Sequence, residues 1–116
     1  MWTYRQSDGE LLHDGAFEGT GYSGTGIGRN NPAMEAVANE GPIPAGSYSI
    51  GRAHDESVLG PCVFALTPHG DTHGRSEFYV HGDNARHDAS EGCVILGPSI
   101  RHLIRDSGDT ALEVIA

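Results

Sequence analysis

The chain has 116 residues, the length of one domain, and a formal net charge of −9 with seven arginines and no lysine. A surface this acidic repels nucleic acid and anionic membranes, since both are bound through basic side chains that replace counterions. No apolar run approaches the ~20 residues of a membrane span. The first residues lack the basic and apolar regions of a secretory signal, which leaves cytoplasmic action, signal-independent export or a fragment of a longer protein.

The first half of the chain predicts a hairpin, a long loop and a helical turn. Residues 2–6 and 10–13 flank a Ser-Asp-Gly turn, which is typical of a β-hairpin. Glycines recur between residues 15 and 31 and predict a long irregular loop, and such loops in compact domains tend to be functional. Pro32 suits the first position of a helical turn over residues 32–37.

The second half of the chain predicts short strands and one helix. Alternating or short apolar runs predict four strands, at residues 47–51, 61–67, 78–81 and 93–96. Pro98 followed by an apolar stripe predicts a helix over residues 98–106, before a last strand at residues 111–115. Residues 1–116 are therefore predicted to form a single mostly β domain, a sandwich or partly closed barrel with one or two short helices.

His81 and Cys93 form the candidate reactive pair, because each lies where a predicted strand meets a glycine-containing loop. Thiolate is the reactive form of cysteine, so a nucleophilic cysteine needs a neighbouring base, and histidine titrates near neutral pH. Gly92 leaves room for a carbonyl substrate and for N–H groups aimed at an oxyanion, and Ser90 is a candidate hydrogen-bonding partner for the loop or the intermediate. The alternative is that Cys93 is an apolar residue of a buried strand.

The remaining thiol and histidines suggest three further interpretations. Cys62 lies in an apolar strand with no histidine beside it, so we expect it to pack in the core and to alkylate more slowly near neutral pH than an activated Cys93. A disulfide between the two cysteines would silence the nucleophile. A zinc site is the third interpretation, although no tight ligand spacing occurs among its candidates, His69, Asp71, His73, His81, Asp83, His87 and Asp88.

Several motifs, taken in order, resemble those of a known enzyme family. His-Gly at residues 81–82 and Ser-Glu-Gly-Cys at residues 90–93 are similar to the signature of L,D-transpeptidases, in which His-Gly precedes Ser/Thr-His-Gly-Cys. The resemblance is closest to a shorter branch, the type VI secretion L,D-transpeptidase effectors, which are antibacterial cell-wall toxins. Further segments carry the resemblance in the same order, at residues 21–24, 28–32, 41–48, 66–68, 74–76 and 78–83.

The resemblance implies an L,D-transpeptidase-like fold and a role for each matched residue. Cys93 would attack the carbonyl that follows the L-centre of meso-diaminopimelate and release the terminal D-Ala of a tetrapeptide stem. His81 would take the thiol proton and later protonate the leaving amine, and the backbone carbonyl of Gly82 would orient the imidazole. Water would complete an L,D-carboxypeptidase reaction, whereas an amine acceptor would give exchange or crosslinking.

Three residues are candidates for substrate binding. The planar fork of Arg75 suits a bidentate contact with a substrate carboxylate. Tyr22 and Asp83 lie in matched segments, and Asp83 is equally suited to orienting His81 or a loop amide. Glu91 stands where the larger family usually has histidine, and apolar residues stand where a polar one commonly follows the cysteine. These departures suit the effector branch and leave the balance between hydrolysis and transpeptidation open.

We therefore expect a cysteine-dependent L,D-carboxypeptidase or L,D-transpeptidase that acts on peptidoglycan stem peptides without a metal or other cofactor. As an effector it would be exported without a signal peptide, act in the periplasm of a target bacterium and be neutralised by a cognate immunity protein. One alternative is a non-catalytic peptidoglycan-binding or protein-interaction module on the same fold. Another is a zinc amidase built from the loop histidines.

Overall fold

The computed structural model describes residues 1–116 and contains ten strands, one α-helix and two single turns of 3-10 helix. The 3-10 turns are Gly26–Gly28 and Pro32–Met34. The other elements are β1 (Trp2–Arg5), β2 (Glu10–His13), β3 (Ala16–Thr20), β4 (Tyr22–Ser23), β5 (Gly46–Ile50), β6 (His54–Glu56), β7 (Gly60–Pro68), β8 (Phe78–His81), β9 (Val94–Ile95), α1 (Pro98–Ser107) and β10 (Ala111–Ile115).

The strands form one strongly curled sheet in the order β3-β2-β1-β10-β5-β7-β8-β9-β4, with β6 paired to β7 beside this path. Two pairs are parallel, β1 with β10 and β8 with β9, and the others are antiparallel. The strands at the two ends of the path, β3 and β4, are separated in the chain by Gly21 alone. The sheet therefore curls round into a nearly closed barrel, which protects its edges from pairing with other chains.

The core lies inside this curled sheet and is built from alternate residues of its strands. Trp2 and Tyr4 of β1 are almost fully buried, as are Tyr48 of β5 and Phe64 of β7. The α1 helix covers β7 and buries Ile104. It begins at Pro98, whose missing N–H costs nothing at the first helical position, and ends at a glycine in the left-handed conformation. None of the helical segments has the length and apolar character that crossing a membrane requires.

The prediction of a mostly β, partly closed barrel with a short helix is confirmed. The predicted hairpin, the strands at residues 78–81 and 111–115 and the helix are all present within a residue or two. The prediction of an irregular loop over residues 15–31 was wrong, because this segment holds β3, β4 and a 3-10 turn. In β3 no residue is buried, so the strand is held by backbone pairing with β2 and carries no apolar alternation.

Candidate active site

The parallel pairing of β8 with β9 brings the two candidate reactive residues to neighbouring strands. Val80 pairs with Val94 and His81 with Ile95. Cys93 directly precedes β9, so this register places it beside Tyr79, two residues before His81 on the adjacent strand. Residues twelve apart in the sequence thus lie at the same end of two neighbouring strands, offset by two residues in register.

The His81 side chain is buried and has a defined tautomer. Its Nδ1 lies 2.9 Å from the backbone carbonyl oxygen of Gly82. Because a carbonyl only accepts, we assign the ring hydrogen to Nδ1, and the neutral ring then carries its lone pair on Nε2. Nε2 makes no hydrogen bond within the chain and is not sealed from solvent. Burial lowers the pKa of His81, and the positive charge of Arg101 lowers it further.

The Cys93 thiol is half-buried, and its Sγ lies 3.9 Å from the carbonyl oxygen of Glu77. Burial raises the pKa of Cys93 above the ordinary thiol value, and the negative charges of Glu91 and Glu77 raise it further. The backbone N–H of Tyr79 and the Arg75 cation only partly oppose this. No hydrogen bond joins the thiol to the His81 imidazole. The resting site therefore holds a neutral thiol and a neutral imidazole, which argues against the expected rapid alkylation at neutral pH.

The loop before Cys93 is held by the hydroxyl of Ser90, which is fully buried. Ser90 Oγ accepts hydrogen bonds from the backbone N–H groups of Gly24, at 2.9 Å, and Gly92, at 3.2 Å. It donates to the carbonyl oxygen of Cys93 at 2.7 Å. The hydroxyl is thus fully used within the protein, and its predicted contact with a reaction intermediate stays a prediction.

These bonds decide which backbone N–H groups remain for an oxyanion. The N–H of Gly92 is used by Ser90, whereas the N–H of Cys93 donates no hydrogen bond within the chain. Gly92 has a φ of 126°, a conformation that side chains disfavour. The oxyanion site indicated by the sequence stays a prediction; of these two N–H groups, only that of Cys93 is unbonded within the chain.

Arg75 is buried and uses all four of its terminal N–H groups inside the protein. Nη1 donates to the carbonyl oxygens of Glu35 at 2.6 Å and Pro42 at 2.7 Å. Nη2 donates to the carbonyl oxygens of Gly41 at 3.1 Å and Glu91 at 3.5 Å. The fork is therefore not free for the bidentate substrate contact that we predicted, and a role in carboxylate binding stays a prediction. What the side chain does here is tie three loops together.

Tyr22 and Asp83 belong to one hydrogen-bonded network at the edge of the site. The Tyr22 hydroxyl donates to Asp83 Oδ1 at 2.6 Å and accepts from the N–H of Ala89 at 2.9 Å. Asp83 also contacts His87 Nδ1 at 2.8 Å and the N–H of Asn84 at 2.9 Å. Burial and the Asp83 carboxylate raise the pKa of Tyr22 to about 12. Asp83 thus orders the loop after His81 and makes no hydrogen bond to the imidazole; its predicted contact with substrate is untested.

A cavity of about 210 Å³ lies next to the loop that precedes Cys93. Its lining includes Glu77, whose carbonyl contacts the Cys93 thiol, and Glu91, two residues before Cys93. Asn39 and Arg75 line the other side. The larger cavity of the molecule, about 360 Å³, lies between β5, β7 and α1 and is lined by neither His81 nor Cys93. Neither His81 nor Cys93 lines the smaller cavity either, so it borders the loop before Cys93 without containing the two candidate reactive side chains.

The histidines considered for a zinc site have separate partners. His69 contacts Ser49, His73 contacts Glu35 and His87 contacts Asp83. The side chains that do lie close enough together to hold a metal are His13, Asp14 and Asp109, from segments near the two chain termini. Both cysteines are free thiols, so the disulfide that we considered is not formed.

Arg101 is the residue of this region that the sequence analysis missed. It lies on α1, is 7% exposed, and its Nη2 would be only 2.9 Å from a Cβ atom placed on Gly82. The sequence does contain a signal for Arg101, because this residue is three positions before Ile104 and so shares the buried face of the helix. An arginine on the apolar stripe of a short helix indicates a buried cation with a specific role.

The profile of the Tlde1 domain matches residues 18–110, well over half of the chain. The chain belongs to the Tlde1 domain family. Membership of this family, whose members are type VI secretion effectors, indicates an antibacterial effector. The matched segment of the Tlde1 domain contains His81, Cys93 and every other candidate site residue. No curated protein matches the chain significantly.

Proposed function

We propose that this effector is a cysteine-dependent L,D-carboxypeptidase or L,D-transpeptidase that acts on peptidoglycan tetrapeptide stems. One observation carries the proposal: the His81 imidazole donates to the Gly82 carbonyl from Nδ1, beside a strand pairing that brings Cys93 near it. This bond leaves Nε2 as a base, which is the arrangement that acyl transfer by a cysteine requires.

The charge states favour proton transfer during attack over a preformed ion pair. An ion pair forms at rest when the pKa of the thiol is below that of the imidazole, but here the thiol pKa is raised and the imidazole pKa is lowered. Nε2 of His81 therefore takes the Sγ proton as Sγ bonds to the scissile carbonyl carbon. Substrate binding must draw the two groups into hydrogen-bond contact, since such contacts are often loose before substrate binds.

The remaining steps follow from the same groups. The carbonyl oxygen becomes an oxyanion that accepts from the N–H of Cys93, which is unbonded within the chain, and one such donor is typically worth about 2.7–4 kcal/mol of the barrier. The oxyanion then expels D-Ala, whose amine takes the proton from His81, and a thioester remains on Cys93. Water regenerates the thiol and gives hydrolysis, whereas an amine acceptor gives exchange or a crosslink.

The effector assignment extends the proposal to partners and place of action. An enzyme that cuts or exchanges stem peptides acts where peptidoglycan lies, so we place its action in the periplasm of a target bacterium after export without a signal peptide. A producer cell must be protected from such a toxin, so a cognate immunity protein is its expected partner.

Incubation with disaccharide tetrapeptides tests the proposal, with D-Ala release followed by mass spectrometry. Wild type is expected to release D-Ala, while Cys93→Ala and His81→Ala should each lose at least a hundredfold in rate. Cys62→Ser is the matched control and should keep wild-type activity, because Cys62 packs against the core on β7. A folded wild type without release, or an active Cys93→Ala, would end the proposal.

A second candidate function is a non-catalytic peptidoglycan-binding module on the same fold. The raised thiol pKa and the missing hydrogen bond between Cys93 and His81 favour it. If the protein is such a module, wild type and Cys93→Ala should bind purified peptidoglycan equally well, and neither variant should alter the stem peptides. Turnover by wild type alone would exclude it.

A further inference from the structure

Both reactive residues of the proposed mechanism have a glycine next to them, and each glycine borders a buried arginine. A Cβ on Gly82, next to His81, would lie 2.9 Å from Arg101 Nη2. A Cβ on Gly92, next to Cys93, would overlap with Arg75 Nη2. The absence of a side chain at these two glycines is therefore what admits the two guanidinium groups.

Arg75 and Arg101 are held in the same unusual way. They are 8% and 7% exposed, and neither forms a salt bridge with a carboxylate. Arg101 donates from Nε to the Leu96 carbonyl at 3.0 Å and from Nη1 to the Pro61 carbonyl at 2.7 Å, much as Arg75 donates only to carbonyls. Backbone carbonyls satisfy the N–H groups but do not neutralise the charge, so each guanidinium keeps a full positive charge inside the protein.

Building on the proposed function, we propose that Arg75 and Arg101 are positioning residues that act as a pair, Arg75 on Cys93 and Arg101 on His81. Arg75 links Glu91, in the loop before Cys93, to the loop of residues 35–45 through backbone carbonyls. Arg101 links Leu96 to Pro61 of β7 in the same way, and each guanidinium places a positive charge beside its reactive residue. Neither touches the reacting atoms of the substrate in this arrangement.

Arg75 acts on the group that gives up the proton, Cys93, and Arg101 acts on the group that accepts it, His81. Cys93 faces Arg75 together with Glu77 and Glu91, and of these only Arg75 lowers the pKa of the thiol and so favours the thiolate. This effect is needed because burial and both carboxylates act the other way.

His81 faces Arg101 together with Asp83 and Glu56. The Arg101 cation lowers the pKa of the imidazole, whereas the two carboxylates raise it. Arg101 thereby keeps His81 neutral and able to act as a base, and it makes the imidazolium that forms during attack a stronger acid toward the leaving amine.

Titration of the Cys93 thiol tests the proposed effect of Arg75 without any substrate. Its outcome is therefore independent of the test of the proposed activity. In a Cys62→Ser background, Cys93 is the one thiol, and its rate of alkylation is measured against pH. Arg75→Met should move the midpoint to higher pH and slow alkylation below the midpoint about tenfold for each pH unit moved. Arg75→Lys, which keeps the charge, should restore most of the rate, and the exposed Arg52→Met should match wild type. If a folded Arg75→Met variant had an unchanged alkylation profile against pH, the proposed effect of Arg75 on Cys93 would be overturned.

NMR titration of wild type tests the proposed effects of both Arg75 and Arg101, even if loss of a buried arginine prevents folding. The guanidinium resonances of Arg75 should shift with the midpoint of Cys93 alkylation, and those of Arg101 with the midpoint of His81. Folded Arg101→Met should also show a higher His81 pKa. Arginine resonances that stay constant through both titrations would overturn the pairing.

Discussion

At the scale of single residues, the central feature is the opposite direction of two pKa shifts. Burial raises the pKa of Cys93 and lowers that of His81, so both groups are uncharged at neutral pH. Many cysteine enzymes rest as a thiolate beside an imidazolium, whose charge makes the thiol reactive toward many reagents. A neutral pair restricts reactivity to substrates that draw the thiol onto Nε2.

The pH dependence of activity follows from the His81 shift. The mechanism needs a neutral imidazole, and a pKa below the ordinary histidine value of about 6.5 keeps His81 neutral down to that pH or lower. The rate constant kcat/KM is therefore expected to be level near neutral pH and to fall only at pH values below about 6.5. A profile measured with tetrapeptide substrate checks this, and an acid limb centred above pH 7 would contradict it.

The reactivity of the Cys93 thiol is a second prediction at this scale. With Cys62 replaced by serine, we expect the midpoint of iodoacetamide alkylation to lie above the value of about 8.5 found for free cysteine, because burial disfavours the thiolate. Mass spectrometry of protein sampled over a pH series gives this midpoint. Half-maximal alkylation below pH 7 would show a preformed thiolate and contradict the neutral pair.

At the scale of elements, the site depends on how the loop of residues 90–93 is anchored. Ser90→Ala removes an acceptor for two backbone N–H groups and a donor to the Cys93 carbonyl. Leaving such groups unpaired in the interior costs about 1–3 kcal/mol, and we expect the free energy of unfolding to fall by this amount in urea denaturation. Ser76→Ala is the control, since Ser76 is exposed and its hydroxyl makes no hydrogen bond. Equal stabilities for the two variants would contradict the anchoring role.

The end of α1 gives an independent test at the same scale. Gly108 has a φ of 68° and open space around it, so Gly108→Ala incurs only the strain of the left-handed conformation, about 1 kcal/mol. Gly97→Ala at the other end of the helix is the matched control, because Gly97 also has open space but an ordinary φ of −66°. Thermal unfolding should show a lower Tm for the Gly108 variant alone. A loss of the same size in both would indicate that φ is not the cause.

At the scale of the whole molecule, the net charge of −9 governs encounters with other proteins. We expect the immunity protein to present a basic surface, so that its association rate falls as salt is raised while dissociation changes little. Stopped-flow binding at low and high ionic strength measures both rates. An association rate independent of salt would contradict an electrostatic role for the acidic surface.

The parts of the fold that the sequence predicts are those with a local signal. The alternating apolar residues of β8 and the proline-started, amphipathic α1 are visible in a short window, and so is the pairing of histidine and cysteine motifs. The order of the strands is not visible, since β3 and β4 lie at opposite ends of the sheet path although only Gly21 separates them. Their neighbours are chosen by contacts with distant parts of the chain.

The role of Arg75 shows the same limit at the site. Its planar fork suits a carboxylate, and the sequence alone gives no sign that four backbone carbonyls from two other loops already occupy it. Ser90 is similar, since its partners include the N–H of Gly24, which lies 66 residues earlier in the chain. Motifs thus suffice to propose candidate reactive residues, whereas the buried polar groups around them depend on the nearly closed barrel.

The central claim is that Cys93 carries the acyl group, and intact-protein mass spectrometry tests it most directly. Wild type is mixed with tetrapeptide stem and quenched in acid, which preserves a thioester. We predict a transient adduct with the mass of the stem without its terminal D-Ala, mapped to Cys93 and missing from Cys93→Ala. Release of D-Ala without any adduct on Cys93, or with an equal adduct in Cys93→Ala, would contradict the account.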